Sequence, residues 1–295
     1  MTTLHDPKAV LLAGTLCVVA TTALAIDLTK TETREIRGLV GPSQAQNISN
    51  KSIALTPLAE EGLANLSGRN LRTRFWTIEP NGIVPIHDHA NRPASVATLT
   101  GEIYEYTNLY PERILHSVGS VTLEEGQVAH WWENEGPETV YLIAFDVVQP
   151  AVRDRITDVS AIPEAAYIDM PADRGATHDF LGAVDIGRHF EDGTGDGYVL
   201  STYRVTIAPG GSFRDFTDAG EPVQVFVWQG DVTQHGSTGD VALASREGAS
   251  LDHGATAWWE NVGDVPAILY FGAVEAVGEI EGLSPKGVHP AKHDD

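Results

Sequence analysis

The chain writes the same stretch of sequence twice. A slide of 129 positions aligns Gly68–Gly101 with Gly197–Gly230 without a gap and keeps Leu71/Leu200, Thr77/Thr206, Pro80/Pro209, Gly82/Gly211, Pro93/Pro222 and Gly101/Gly230. A slide of 127 then lays Trp131-Trp132-Glu133-Asn134 on Trp258-Trp259-Glu260-Asn261. Such a chain is constrained to fold as two copies of one unit. The histidines break the symmetry, because His87, His89 and His130 of the first copy meet Phe216, Asp218 and Ala257 of the second. One scaffold is used twice, and its chemistry is expected in the first half.

Two units agree with the length, since 295 residues is about twice the ~150 typical of one domain. With 29 Gly, 16 Pro, many short apolar runs and almost no long stretch of helical period, strands and turns are favoured over helices. Turn signals at Pro80-Asn81-Gly82, Thr100-Gly101, Glu125-Gly126 and Glu135-Gly136-Pro137 predict short strands closing into an all-β sandwich or barrel. The runs Tyr141–Val148 and Ala267–Val274 have the length and continuous apolarity of buried strands. The expected layout is a signal peptide over 1–25, a polar arm over 26–52, a first barrel over 53–150, a connector over 151–185, a second barrel over 186–283 and a disordered tail over 284–295. A formal net charge of −22 argues against nucleic acid as a partner, because phosphate binding needs clustered Lys and Arg.

The expected signal peptide rests on Lys8, the apolar run Ala9–Ala25 and the small-x-small ending Ala23-Leu24-Ala25, with cleavage near Ala25. That run is shorter than the ~20 residues that span a bilayer, so the mature chain is expected to be periplasmic or secreted, with no membrane association. The single cysteine, Cys17, lies in the segment to be removed, which leaves the mature protein without thiol or disulfide. Oligomeric state stays open at this point, a homo-oligomer included.

A strand through Val84–His89 places His87 and His89 on one face and Ile86 and Asp88 on the other. His130, from a later strand, supplies a third imidazole. Neutral imidazoles leave a bound divalent cation uncompensated at about +2, so such a site draws an anionic or chelating small molecule to its open positions. The ligand type suits a divalent transition metal ion (Fe, Zn, Mn, Ni, Co or Cu) and hardly suits Ca or Mg. Two further residues are candidates for catalysis: Arg92, whose planar fork can hold a substrate carboxylate, and Glu105, a base following the Gly101 turn. Tryptophans 131, 132, 258 and 259 recur in both copies and are assigned to packing, one indole of each pair on either side of its strand. Asn134 and Asn261 are assigned to turns, and His116, His178, His189, His235 and His253 receive no role.

The spacing Gly82, five residues, His87-Asp88-His89, closed by Gly101 and followed by Gly126, His130 and Asn134, resembles the two motifs of the cupin superfamily. The resemblance covers both halves, so the chain is similar to secreted bicupins, quercetin-dioxygenase-like proteins with two cupin-type jelly-roll β-barrels in tandem. Cupins commonly carry a metal-binding glutamate seven residues before the closing glycine; here that position is Ala94, and the implied ligand set shrinks to three histidines. In the second unit Gly254 and Asn261 keep the spacing, but Ala257 and Phe216 leave it a degenerate site. The resemblance implies a dioxygenase-type oxidoreductase acting on a small oxygen-chelating substrate. The alternative is a non-catalytic, metal-dependent binder of a sugar or small acid.

Overall fold

The computed structural model describes residues 31–58, 63–66, 68–149, 171–214, 221–236, 239–251 and 255–277. The signal-peptide run, Phe216, Asp218, His253, Gly254 and the expected tail lie outside these residues. Among the described residues the architecture is all-β, and no helix is long and apolar enough to cross a membrane. A hairpin of β1 (Thr33–Ile36) and β2 (Leu39–Pro42) precedes two nearly closed antiparallel barrels. The first contains β3 (Gln46–Pro57), β4 (Asn70–Asp88), β5 (Ala94–Thr98), β6 (Glu102–Thr107), β7 (Ile114–Ser117), β8 (Val121–Glu124), β9 (Ala129–Glu133) and β10 (Val140–Val148). The second contains β11 (Arg174–Asp185), β12 (Tyr198–Arg214), β13 (Val223–Gln229), β14 (Val232–Gly236), β15 (Gly239–Leu243), β16 (Gly248–Leu251), β17 (Ala257–Asn261) and β18 (Ala267–Ala276). The strand orders are β7-β6-β9-β4-β10-β5-β8, with β3 on β4, and β15-β14-β17-β12-β18-β13-β16, with β11 on β12. Strand for strand the two orders are the same.

Two expectations change here. The polar arm, from residue 33 on, is strand, and β3 pairs with β4 from Gln46↔Ile83 to Pro57↔Asn70. The later part of the connector is likewise β11, laid along β12. Both segments are too polar to announce themselves by burial, yet a ladder is made by backbone groups and tolerates an exposed polar strand at its edge.

The repeated residues sit in matching surroundings. A Cβ on Gly82 would fall 2.6 Å from Glu79 O and 2.9 Å from Asn47 O; one on Gly211 would fall 2.8 Å from Ala208 O and 2.5 Å from Arg174 O. Each glycine lets the outer strand cross close over the long one. Asn134 Nδ2 donates to Ile78 O and Glu138 O while its Oδ1 accepts from Gly136 N–H. Asn261 repeats this with Ile207 O, Val265 O and Gly263 N–H, so both asparagines brace turns.

The barrels differ inside. Arg74, Val84, Ala144 and Trp132 surround a cavity of about 270 Å³ in the first barrel. By the same repeat offsets their counterparts are Tyr203, Phe213, Phe271 and Trp259. These pack together, with Phe213–Phe271 centroids 5.9 Å apart and Trp259–Phe271 centroids 4.9 Å apart, and fill the second barrel. A further core lies between the barrels, where Leu71, Phe75, Ile143 and Phe145 meet Leu200, Phe226, Tyr270 and Val274. Buried Gln224 reaches across it to Thr73, Thr56 and the Leu71 carbonyl, and Thr202 donates to Ser95.

Candidate metal centre

His87 stands near the end of β4, His89 just beyond it, and His130 on β9. The pairing of β4 with β9 runs Val84↔Trp132 and then His87↔His130, one extra residue on β4. This bulge turns both Val84 and Pro85 toward the cavity and brings His87 directly opposite His130. Ile86 points outward, fully buried with Ile83 and Trp131 beneath the β1–β2 hairpin. Trp132 faces inward beside His130, and Trp131 stacks outward on Tyr106 at 3.9 Å, so the paired indoles lie on opposite sides of β9.

The structure brings the three imidazoles together, with ligand nitrogens all within 4.8 Å of one another and Nε2 of His130 3.1 Å from Nε2 of His87. Each ring has its other nitrogen committed. Nδ1–H of His87 donates to Pro85 O at 2.9 Å, that of His89 to Arg92 O at 2.9 Å, and that of His130 to the Glu105 carboxylate. With Nδ1 so engaged, the three Nε2 atoms turn toward a common centre, the orientation in which metal-ligating histidines are held. The donor set therefore fits a divalent transition ion.

A carboxylate stands beside the cluster on an unexpected strand. Ala94 on β5 pairs with Glu124 on β8, and Glu124 Oε2 lies 2.9 Å from His89 Nε2 with Oε1 3.5 Å from His130 Nε2. The carboxylate missing at Ala94 is present one ladder step away. Burial opposes the charge on Glu124, but His89 and His130 outweigh it and hold the carboxyl well below the usual range. Burial, reinforced by the neighbouring His130, His89 and Arg92 charges, pushes His87 well below 6.5 and keeps it neutral.

Glu105 lies behind His130 and does not line the cavity. Its second oxygen accepts from His116 Nε2 at 2.8 Å, and His116 stacks on Trp132. Arg92 does line the cavity, where it joins Arg72 and Arg74 around buried Asp146. His189, from the short turn Gly187–His189 of the second barrel, bonds through Nδ1 to the His89 carbonyl at 3.0 Å. Sequence reasoning missed Glu124, Asp146, Arg72, Arg74, His116 and His189. A signal for Glu124 existed only in the β5–β8 register, which joins strands separated in sequence by β6 and β7. In the second barrel Ala257 is buried at the position matching His130, and among the described residues the three histidines form the one cluster of metal-ligand type.

No protein-family model matches the sequence, and no curated protein matches it. Solved structures do resemble the fold. Oxalate decarboxylase aligns with a TM-score of 0.51 at 10% identity, covering 85% of this chain and 78% of its own. A cupin 2 conserved barrel domain protein from Leptotrichia buccalis aligns with a TM-score of 0.43 at 11% identity over 79% of this chain and 91% of its own. Salicylate 1,2-dioxygenase from Pseudoaminobacter salicylatoxidans gives 0.46 at 11% identity over 69% and 68%. At such identities the likeness concerns architecture: with two barrels of one topology and a three-histidine cluster in the first, this chain has the fold of the bicupins.

Proposed function

We propose that the protein is an exported metal-dependent oxidoreductase of dioxygenase type, acting on a small oxygen-chelating substrate in the first barrel. The observation that carries this reading is three converging imidazoles with engaged Nδ1 atoms, of which His87, together with Glu124, lines a cavity of about 270 Å³. His87, His89, His130 and Glu124 would hold the ion. A bound redox-active ion supplies a Lewis-acidic centre at which a chelating substrate and O₂ are activated. The chain's own residues do the rest. Glu105 orients His130 and keeps its Nδ1 proton in place, while Trp76, Val84, Val96 and Leu142 give the cavity apolar walls. Export rests on the apolar run Ala9–Ala25 and is tested by N-terminal sequencing of the mature protein, which should begin near Ile26.

The deciding experiment is elemental analysis of natively purified protein followed by O₂-uptake screening on the same material. One transition ion per chain and O₂ consumption that stops on chelation are expected. A loaded ion with no turnover of any oxygen-chelating compound would favour the binding-protein alternative, and metal-free native protein would remove both.

A further inference from the structure

Three guanidinium groups crowd one carboxylate beside the metal centre. Arg72 takes Asp146 bidentately, Nε to Oδ1 at 2.9 Å and Nη2 to Oδ2 at 2.7 Å. Arg74 Nη2 and Arg92 Nη1 share the same Oδ2 at 3.1 and 3.5 Å. Asp146 is fully buried and ionised; burial opposes its charge, but Arg74, Arg72 and Arg92 outweigh it. Even with ionised Glu124 also acting on Arg74, three cations gather around the single Asp146 carboxylate in a largely buried wall.

Arg74 and Arg92 both line the cavity. Arg74 Nε is buried with no hydrogen-bond partner among the described residues. Arg92 Nη2 lies 3.2 Å from His89 Nε2, the nitrogen a metal ion would take. The fold itself does not require the cluster: the repeat positions of Arg72, Arg74 and Asp146 are Ser201, Tyr203 and Ala273 in the second barrel, which closes without them.

We propose that Arg74 and Arg92 form a carboxylate-binding subsite, and that the substrate is a small carboxylic acid with an apolar body. A guanidinium fork matches the two in-plane oxygens of a carboxylate. The remaining walls, Trp76, Val84, Val96 and Leu142, suit a ring or short chain, and about 270 Å³ is near the lower end of ligand cavities, which limits the body to one ring or a few carbons. A phosphate would turn its further charged oxygens toward those apolar walls or toward ionised Glu124. The proposal deepens the metal-enzyme reading and rests on it for the second oxygen donor reaching the ion. The subsite itself rests on the arginines alone.

Benzoate, benzamide and inorganic phosphate serve as probes, titrated calorimetrically into chelator-stripped and Zn²⁺-loaded full-length protein. Benzoate should bind both forms, at least about ten-fold tighter than benzamide, as expected when a charge-assisted pair is replaced by a neutral one. Arg92→Gln and Arg74→Gln should each weaken benzoate by about ten-fold or more with metal content unchanged. Arg74→Tyr, carrying the residue of the twin barrel, serves as a second variant if Arg74→Gln fails to fold. Equal binding of benzamide, tighter binding of phosphate, or undiminished benzoate binding in the folded arginine variants would overturn the subsite. Arginine-dependent benzoate binding in a protein that takes up no metal would uphold the subsite and sink the metal reading instead.

Discussion

Glu124 carries the largest consequence for single residues. Opposed to Ala94 across the β5–β8 ladder, it reaches the point that a side chain at 94 would otherwise reach, because directly opposed residues on one face hold their Cβ atoms about 4.5–5.5 Å apart. Glu124→Ala should therefore lower metal occupancy, and Ala94→Glu added to it should restore occupancy; a double variant as depleted as the single would refute the equivalence. Titration offers a second check. Burial works against a proton on His130, but Glu124 and Glu105 outweigh it and raise its pKa above 6.5 in the metal-free protein. Burial would raise Glu105 too, yet hydrogen bonds from His116 and His130 lower it to about 2. The His130 proton thus stabilises the metal-free fold below pH 6.5, and that gain is lost as pH rises through the raised pKa. The Glu105 contribution is present above 4.5 and fades as pH falls toward 2. A metal ion displaces the His130 proton, so affinity should climb with pH through the raised pKa with proton release on binding. Calorimetry in buffers of different ionisation enthalpy measures this, and a pH-independent affinity would contradict it.

At the level of strands and turns, the repeated glycines are a matter of clearance. An added methyl at Gly82 or Gly211 meets carbonyl oxygen at 2.6 or 2.5 Å, well inside contact, and overpacking of this kind destabilises by about 1–3 kcal/mol. Gly82→Ala and Gly211→Ala should each lower the urea midpoint, and an unchanged midpoint in either would show that the outer strand can move aside. Much of this layer was legible from sequence. The gap-free repeat implied two like barrels, and the turn assignment of Asn134 and Asn261 matches their hydrogen bonds. The converging triad was also readable, because His87 and His89 stand two apart at the end of β4 and His130 precedes the repeated Trp-Trp-Glu-Asn, although one extra residue separates it from Gly126. The polar strands β3 and β11 were not, since their residues carry no burial pattern and their pairing is made by backbone groups alone. Nor were Glu124, His116 and His189, which meet the site only through register and inter-barrel packing.

Across the whole molecule, the core between the barrels ties the site to its twin. Gln224, fully buried, satisfies three partners in the first barrel, and a methyl on Gly272 would sit 2.2 Å from Phe145. Such close fit predicts one cooperative unfolding transition, seen alike by tryptophan fluorescence and far-ultraviolet dichroism; two separated transitions would show that the barrels unfold independently. The filled interior of the second barrel, with Phe213, Phe271 and Tyr203 where the first has Val84, Ala144 and Arg74, has a further consequence. Packing forfeited around a hollow chamber is supplied by a solid neighbour fused to it. Exchanges at wall positions such as Val84, Val96 or Ala144 can reshape what the chamber admits while the neighbour keeps the fold intact, so duplication has separated the half that must hold still from the half that is free to evolve.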